Sequence, residues 1–383
     1  MDFDFPQDKA EIYEEVQRFC DEELRPRAKE VAEKGEFPWG NVKAMAEMGL
    51  FGIPVPEEYG GAGMTWLDWA VIGEKISNAC TSTGAIFAAH YLAEYPLLAF
   101  GTEEQKQRYL VPLATGEKIG AFILTEPEAG SDAGNVKTRA ERDGDVYRLT
   151  GTKAFCSNGA EAGIFIVIAN VDPERGARGL TAFIVERDTP GFRLGKEDTK
   201  MAFRALSNPE LIFEDAEVPA GNLLYREKGG FRVAMETLSV GRIGMAVGAV
   251  GLAQAALDAA VKYSQERVQF GQPIAEFQAI QFMLADMATE IEAARLLAYK
   301  AAWLKDQGRD YDKIAAMAKV YASEVAVRAA SRALQIHGGY GYTTEYEVER
   351  YYREAKLFEI VEGTSEIQRI VIANRLLKEA RRD

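Results

Sequence analysis

Residue types that hold metals or disulfides are scarce in this sequence. Its 383 residues include three cysteines and two histidines, namely Cys20, Cys80, Cys156, His90 and His337. No two cysteines are close enough in sequence to form a metal-binding pair, and two histidines supply too few ligands for a zinc site. We therefore expect no metal centre and no disulfide framework, which favours a reducing compartment.

Positive charge and long apolar runs are also scarce. The chain has 45 Lys and Arg against 59 Asp and Glu, a formal net charge of −14, whereas nucleic-acid binding needs a basic surface. The most apolar long stretch, residues 244–257, is too short to span a membrane. The acidic N-terminal segment, residues 1–16, has no signal or transit pattern. We expect a cytoplasmic protein with no membrane insertion and no nucleic-acid partner.

The chain is long enough for two or three domains, and its first part has a helical period. Near the start, apolar residues recur at helical spacing, as in Ile12, Val16, Phe19 and Leu24. A second apolar helical stretch, residues 66–100, ends at Gly101. Thr102 and Gln105 then have the spacing of a capping box, which predicts the start of another helix.

The hydrophobic period changes twice after residue 120. Short apolar runs at 146–150, 164–168 and 180–185 are separated by turn residues, which predicts a small antiparallel barrel or sandwich. Helical spacing returns at residue 229 and predicts four helices, at 240–265, at 275–307, at 312–337 and after Thr364.

This order predicts an α+β multidomain fold. The predicted parts are an N-terminal helical domain (1–120), a middle β-barrel or sandwich domain (121–228) and a C-terminal four-helix-bundle domain (229–383).

Three loops rich in Gly, Ser and Thr stand at element boundaries: residues 124–132, 153–159 and 360–366. Small residues let backbone N–H groups approach a ligand, and hydroxyls such as those of Thr125 and Ser131 can bind it. Taken alone, the first loop is equally well interpreted as a surface turn. The second alone is better interpreted as a strand end with Phe155 in the core.

The third loop carries Glu362 just outside a predicted helix. Ser365 and Gln368 have capping-box spacing, so the helix is expected to begin at this point. A carboxylate in that place can interact with the helix dipole or act as a general base. Composition alone leaves both interpretations open.

The loops together resemble one protein family. The motifs TEPEAGSD, FCSNG, ERVQFGQPI, QIHGGYGY and EGTSEIQ, which begin at Thr125, Phe155, Glu266, Gln335 and Glu362, occur in the order and spacing of the acyl-CoA dehydrogenases of the short- and medium-chain type. The resemblance covers essentially the whole chain. A GxGxxG fingerprint is absent, which agrees with a family that does not bind its flavin in a Rossmann fold.

The resemblance implies FAD-dependent α,β-dehydrogenation of an acyl-CoA to the trans-2-enoyl-CoA, as in fatty-acid β-oxidation. A glutamate removes the α-proton while flavin N5 accepts a hydride from the β-carbon, and the matching base is Glu362. Some members place the base before the residue that matches Arg242, where this chain has Gly241. The sequence therefore favours Glu362, whose pKa is expected to rise on burial.

The resemblance also implies the ligand contacts. Contacts to FAD fall on Phe122, Thr125, Ser131, Phe155, Ser157, Arg267, Phe270, Gln278, Gln335, Gly338, Gly339, Thr364 and Glu366. Phe155 and Ser157 stand where Trp and Thr are common. The residues of this list from Arg267 to Gly339 match contacts to the FAD of a neighbouring subunit, which implies a homotetramer. Substrate contacts fall on Ser131, Arg242 and Gly363, although a buried arginine also suits a structural ion pair. Electron-transfer flavoprotein is the expected electron acceptor.

Two other functions remain open from the sequence. An acyl-CoA oxidase uses the same proton abstraction, although such enzymes are usually longer than this chain. A flavin-binding, DNA-associated stress protein on the same fold is disfavoured by the acidic balance.

Two segments depart from the family pattern. His90, Tyr91 and Glu94 are expected on a partly exposed helix face, or else as polar groups that shorten or polarise the acyl pocket. Asn208-Pro209 replaces a commoner Ser/Thr-rich pattern, and the sequence gives no reason for it.

Overall fold

Helices form the first third of the chain. The computed structural model describes residues 7–381, so residues 1–6 of the acidic N-terminal segment lie outside the described part. The helices are α1 (Gln7–Phe19), α2 (Ala28–Lys34), α3 (Trp39–Glu47), α4 (Trp66–Ala79), α5 (Thr81–Phe100), α6 (Glu103–Gln105) and α7 (Val111–Ala114). The capping box of Thr102 and Gln105 is confirmed, although the α-helical turn it begins is only three residues long.

The predicted helical stretch 66–100 is two helices. Cys80 has an extended backbone (φ −151°, ψ 101°) between α4 and α5, so the stretch is helical as predicted but is interrupted once. A capping box of Thr65 and Asp68, which share three hydrogen bonds across the helix start, fixes the beginning of α4. The break lets α5 turn back along α4, and both helices then pack on the C-terminal part of the chain.

The middle part is an eight-stranded sheet. Its strands are β1 (Gly120–Ile123), β2 (Arg139–Asp143), β3 (Val146–Lys153), β4 (Ile164–Asn170), β5 (Leu180–Glu186), β6 (Phe192–Leu194), β7 (Leu211–Pro219) and β8 (Leu223–Leu224). The order is β6-β7-β3-β2-β4-β5-β8, with β1 paired to β4. The three predicted strands are confirmed within β3, β4 and β5. Since β1 and β2 both run parallel to β4, the sheet is not wholly antiparallel.

Helices return in the last part and form the largest core. They are α8 (Gly230–Glu266), α9 (Gln278–Asp306), α10 (Asp312–His337), α11 (Val348–Phe358) and α12 (Ser365–Glu379), and a small hairpin of β9 (Val268–Gln269) and β10 (Gln272–Pro273) joins α8 to α9. Helix α11 was not predicted, and α8 begins ten residues before the predicted start at 240. The predicted order of helices, sheet and helices is confirmed.

Helix α8 is the central helix of the molecule. Within residues 7–381 it alone is long and apolar enough to cross a membrane, but 83% of its apolar window is buried inside the protein, as in a core helix. Its backbone packs directly against α4 at Gly251. A Cβ there would lie 2.5 Å from the carbonyl oxygen of Glu74 and 2.8 Å from the amide nitrogen of Asn78. The absence of a side chain at Gly251 therefore sets the distance between α4 and α8.

We expect Gly251→Ala to lower the melting temperature, because the added methyl group meets the backbone of α4. Overpacking of this kind costs about 1–3 kcal/mol, which outweighs the gain of about 0.5–1 kcal/mol that alanine brings to a helix. Thermal unfolding followed by circular dichroism measures the change.

The matched control is Gly40→Ala. Gly40 is an exposed helical glycine whose Cβ would have a single neighbour, an Arg27 nitrogen at 3.6 Å. This variant should keep or raise the melting temperature. Equal effects of the two substitutions would show that the close approach of α4 and α8 does not depend on a glycine at position 251.

Candidate active site

The backbone at Glu362 is left-handed and is held so by neighbouring side chains. Glu362 has φ +52° and Gly363 has φ +91°, a conformation that is unfavourable for residues other than glycine. Gln368 Nε2 donates hydrogen bonds to the carbonyl oxygens of Glu362 (3.1 Å) and Gly363 (2.9 Å). Lys319 Nζ donates to the carbonyl oxygen of Gly363 (2.7 Å). These three hydrogen bonds fix the loop.

The cap of α12 differs from the prediction. Thr364, rather than Ser365, accepts the hydrogen bond from the backbone N–H of Ile367 (3.3 Å). The predicted Ser365–Gln368 capping pair is therefore wrong, because the Gln368 side chain turns back to the loop. Since Thr364 already caps the helix, the helix-dipole role left open for Glu362 is not needed there.

The left-handed turn directs the Glu362 carboxyl group at α8. A Cβ on Gly241 would lie 1.9 Å from Glu362 Oε2 and 2.8 Å from Leu92 Cδ2. Only a glycine leaves room for the carboxyl group at this point of α8. Glu362 Oε2 is buried and has no hydrogen-bond partner among the described residues. Position 241, the alternative place for a base, thus borders the same space that the Glu362 carboxyl group occupies.

Burial raises the pKa of Glu362 to about 7, while the positive charges of Lys319 and Arg242 lower it. Burial in turn lowers the pKa of Lys319 to about 8, against the attraction of Glu362. A carboxyl group with a pKa near neutrality can both take and release a proton at physiological pH. Perturbed groups of this kind concentrate at functional sites.

Arg242 lies beside this site on α8. Its Nη1 donates a hydrogen bond to Ser239 Oγ (3.3 Å), and its Nε is buried without a partner in the described part of the chain. Burial lowers the pKa of Arg242, and the charges of Asp312 and Glu362 oppose that effect. Between residues 7 and 381 no carboxylate lies within ion-pair distance of Arg242, so the structural ion pair left open by the sequence is absent there.

Two of the candidate loops meet at the edge of the sheet. The backbone N–H of Ala154 donates to the carbonyl oxygen of Thr125 (3.0 Å). Lys153 Nζ donates to the carbonyl oxygen of Leu124 (3.0 Å) and to Glu126 Oε1 (2.8 Å), and both charged groups are buried. The structure therefore brings loops 124–132 and 153–159 together. Ser131, near the end of loop 124–132, is exposed.

An exposed aromatic ring marks the surface of these loops. Phe155 is 67% exposed and has φ +60°, so the expectation of a core Phe155 is wrong. Ser157 Oγ accepts a hydrogen bond from Asn208 Nδ2 (3.0 Å), which gives Asn208 a role that the sequence did not reveal. Phe122 is nearly buried in β1. An exposed ring beside a hydroxyl group suits a flat heterocycle, so these residues fit a flavin.

The remaining candidate residues lie on the C-terminal helices and the segments that join them. Arg267, Gly338 and Gly339 line a cleft of about 540 Å³, where the Arg267 guanidinium lies 5.4 Å from the centre of the Tyr340 ring. Outside the cleft lining are the exposed residues Phe270, Gln278, Gln335 and Glu366, and half-buried Thr364. Two glycines and an arginine at an open cleft suit a phosphate group, so this part fits the diphosphate side of FAD.

His90 and Tyr91 on α5 have structural roles, and the buried Glu94 carboxyl group lies 3.5 Å from His90 Nε2. His90 Nδ1 accepts from the backbone N–H of Gly120 and Nε2 donates to the carbonyl oxygen of Leu113, each at 3.1 Å. The Tyr91 hydroxyl donates to the carbonyl oxygen of Leu50 (2.6 Å). Burial raises the pKa of Glu94. All three side chains are buried, so the expected partly exposed face is wrong.

Three domain models match this chain. The acyl-CoA dehydrogenase N-terminal domain matches residues 6–117, the middle domain residues 121–216 and the C-terminal domain residues 228–377. The chain belongs to the acyl-CoA dehydrogenase family. It is an enzyme of that class, and FAD is its cofactor.

Individual relatives agree with the family. A probable acyl-CoA dehydrogenase of Bacillus subtilis is 50% identical over 380 residues, 99% of this chain and 100% of that protein. Butyryl-CoA dehydrogenase of Megasphaera elsdenii has a TM-score of 0.96 at 43% identity, over 98% of this chain and 100% of that one. A chain in a structure described as the electron transferring flavoprotein of Acidaminococcus fermentans has a TM-score of 0.97 at 48% identity, with the same coverage.

The raised pKa of Glu362 predicts a pH-dependent gain in stability for Glu362→Gln. The folded protein binds the carboxyl proton more tightly than the unfolded chain, whose pKa is 4.5. Stability from this group is therefore present below pH 4.5 and lost as the pH rises to about 7. Glutamine removes that loss, which is on the order of 3 kcal/mol at pH 8.

Melting temperatures at pH 5 and pH 8 provide the measurement. The gain of Glu362→Gln over the parent should be larger at pH 8. The control is Glu366→Gln on the same loop, because a backbone hydrogen bond lowers the pKa of exposed Glu366. A pH-independent effect of Glu362→Gln would contradict the raised pKa.

Proposed function

We propose that this acyl-CoA dehydrogenase converts an acyl-CoA thioester to the trans-2-enoyl-CoA with Glu362 as the catalytic base. The observation that carries this proposal is the Glu362 carboxyl group, whose Oε2 is buried without a hydrogen-bond partner among the described residues and whose pKa is raised to about 7. An unpaired carboxyl group is costly to bury, and proton abstraction gives it a use. The domains 1–120, 121–228 and 229–383 are proposed as the units that enclose this site.

The loop that carries the base also offers a hydrogen-bond donor. The backbone N–H of Glu362 has no acceptor among the described residues. In the proposed complex it donates to the thioester carbonyl oxygen, which becomes negatively charged as the α-proton leaves. A fixed donor at that point stabilises the developing enolate. Gly363, whose carbonyl oxygen is held by Lys319 and Gln368, keeps the donor and the carboxyl group in one orientation.

The proton moves from the α-carbon of the substrate to the Glu362 carboxylate. Lys319 and Arg242 make the ionised carboxylate less costly, since both positive charges lower its pKa. Bound FAD would supply the two-electron acceptor that takes the hydrogen from the β-carbon. We propose that Phe122, Thr125, Phe155 and Ser157 hold the flavin ring.

The outer parts of the ligands are assigned to the remaining residues. Ser131, Arg242 and Gly363 contact the acyl-CoA, and Thr364 and Glu366 lie toward the adenine side of FAD. The group Arg267, Phe270, Gln278, Gln335, Gly338 and Gly339 serves the FAD of another subunit of a homotetramer. Large exposed apolar side chains in this region, Phe270 (94% exposed) and Tyr342 among them, support an association surface.

We propose short acyl groups as substrates, fatty-acid β-oxidation as the pathway and electron-transfer flavoprotein as the electron acceptor. Similarity to a butyryl-CoA dehydrogenase supports the first of these proposals. Similarity to a chain from a structure of an electron transferring flavoprotein supports the acceptor. An acyl-CoA oxidase would instead produce about one peroxide per enoyl-CoA in air, which a peroxide assay detects.

Glu362→Gln should bind butyryl-CoA but reduce FAD at least about a thousandfold more slowly, because the amide cannot take the α-proton. Anaerobic stopped-flow absorbance of the flavin measures the rate. Glu359→Gln is the matched control, since Glu359 precedes the same loop and pairs with Lys356. Rapid bleaching by Glu362→Gln would refute Glu362 as the base.

The pH profile tests Lys319 as a positioning residue. For the parent enzyme, kcat/KM should rise with pH and reach its midpoint near 7, because Glu362 must be deprotonated. Lys319→Met removes a charge that lowers the pKa of Glu362, so the midpoint should move upward by about one pH unit.

The control for this profile is Lys356→Met, a change at an exposed lysine that pairs with Glu359. Its midpoint should match that of the parent enzyme. If Lys319→Met lowers kcat/KM without moving the midpoint, Lys319 does not act on the charge of Glu362.

A further inference from the structure

Two glycines on one face of α8 have different neighbours. At Gly241 the space belongs to the Glu362 carboxyl group and to Leu92. At Gly244, one turn further and about 4.5 Å along the helix axis, a Cβ would lie 2.9 Å from Trp69 Cη2 and 3.5 Å from the Ala88 methyl group. The indole ring of Trp69 therefore covers α8 one turn beyond the base.

Packing alone holds this indole ring in place. Trp69 is 1% exposed, and its Nε1 has no hydrogen-bond partner in the described part of the chain. Phe87 stacks on the ring at 6.0 Å between ring centres, and Tyr91 and Trp66 meet it edge-on at 5.4 and 5.5 Å. With aromatic rings on several sides, Trp69 has little freedom to swing away from Gly244.

The two directions along α8 from Gly241 differ in polarity, and this difference decides which part of a substrate meets Trp69. Toward the start of α8 the helix carries the exposed ion pair of Arg232 and Glu236. Toward Gly244 they are apolar and buried. The phosphates of CoA need water or positive charge, whereas an acyl tail gains free energy from apolar burial. We therefore expect an acyl tail to extend from Glu362 toward Trp69.

We propose that Trp69 closes the acyl pocket one helical turn beyond Glu362 and restricts the enzyme to short acyl groups. This inference rests on the proposed function of the site and adds the residue that sets chain length. Leu92 and Ala88 on α5 form the wall next to the tail, and Gly244 lets the indole ring lie against α8. A longer tail meets the ring instead of open space.

Steady-state kinetics of the FAD-loaded enzyme with butyryl-CoA and octanoyl-CoA test the proposal. The parent enzyme should have a kcat/KM for butyryl-CoA roughly tenfold or more above that for octanoyl-CoA. Trp69→Ala should raise the ratio of octanoyl-CoA to butyryl-CoA kcat/KM by about tenfold or more, because the pocket becomes deeper. A parent enzyme that prefers octanoyl-CoA, or an unchanged ratio in the variant, would overturn the role of Trp69.

A control variant separates pocket depth from loss of packing. Phe51→Ala removes another buried aromatic ring, which packs on His90 on the other side of α5. Its ratio of octanoyl-CoA to butyryl-CoA kcat/KM should equal that of the parent enzyme. Trp69→Leu, a smaller change, provides a second variant if Trp69→Ala fails to fold, and its ratio should move in the same direction.

Binding without turnover provides an independent readout. In the Glu362→Gln background, Trp69→Ala should tighten octanoyl-CoA relative to butyryl-CoA, as measured by calorimetry. If no acyl-CoA reduces the flavin of the parent enzyme, the proposed function itself is refuted. Reduction by acyl-CoA with no change in chain-length preference on substitution would refute only the inference about Trp69.

Discussion

The site depends on a left-handed backbone turn at Glu362 and Gly363 that two buried side chains hold in place. Lys319 and Gln368 satisfy the carbonyl oxygens that this turn leaves unpaired. The turn is unfavourable for glutamate, and its cost is offset by hydrogen bonds from outside the loop. Without those hydrogen bonds the carboxyl group would have no fixed direction. With them it lies against α8, where burial raises its pKa to about 7.

Helix α8 has glycines at the three positions where other groups pack against it, and one of these groups is the carboxyl group carried by this turn. Gly241 leaves space for the carboxyl group, Gly244 for the indole of Trp69 and Gly251 for the backbone of α4. Arg242, in the same helix, supplies positive charge next to the carboxyl group. One helix thus sets the position of the N-terminal helices, the space around the base and part of its electrostatics.

Local signals in the sequence predicted much of this arrangement. The change from helical to strand period and back predicted the fold, and the family resemblance, rather than either loop alone, implied that the loops at Thr125 and Phe155 share a site. The predicted cap at Ser365 was wrong because Gln368 hydrogen-bonds the loop rather than its own helix, which is a tertiary effect. Likewise, no pattern revealed that Asn208 would meet Ser157. A special role for Lys319 could have been found in the sequence, because this lysine interrupts the apolar stripe of an alanine-rich helix.

Exchange of α-protons is the most direct measure of Glu362 as a base. Acetyl-CoA has α-protons but no β-carbon, so proton removal occurs without oxidation. In deuterium oxide at pH 8, above the pKa of about 7, the FAD-loaded enzyme should incorporate deuterium into the acetyl group, as seen by mass spectrometry. With Glu362→Gln, incorporation should fall to the level without enzyme. Equal incorporation by the two proteins would contradict Glu362 as the base.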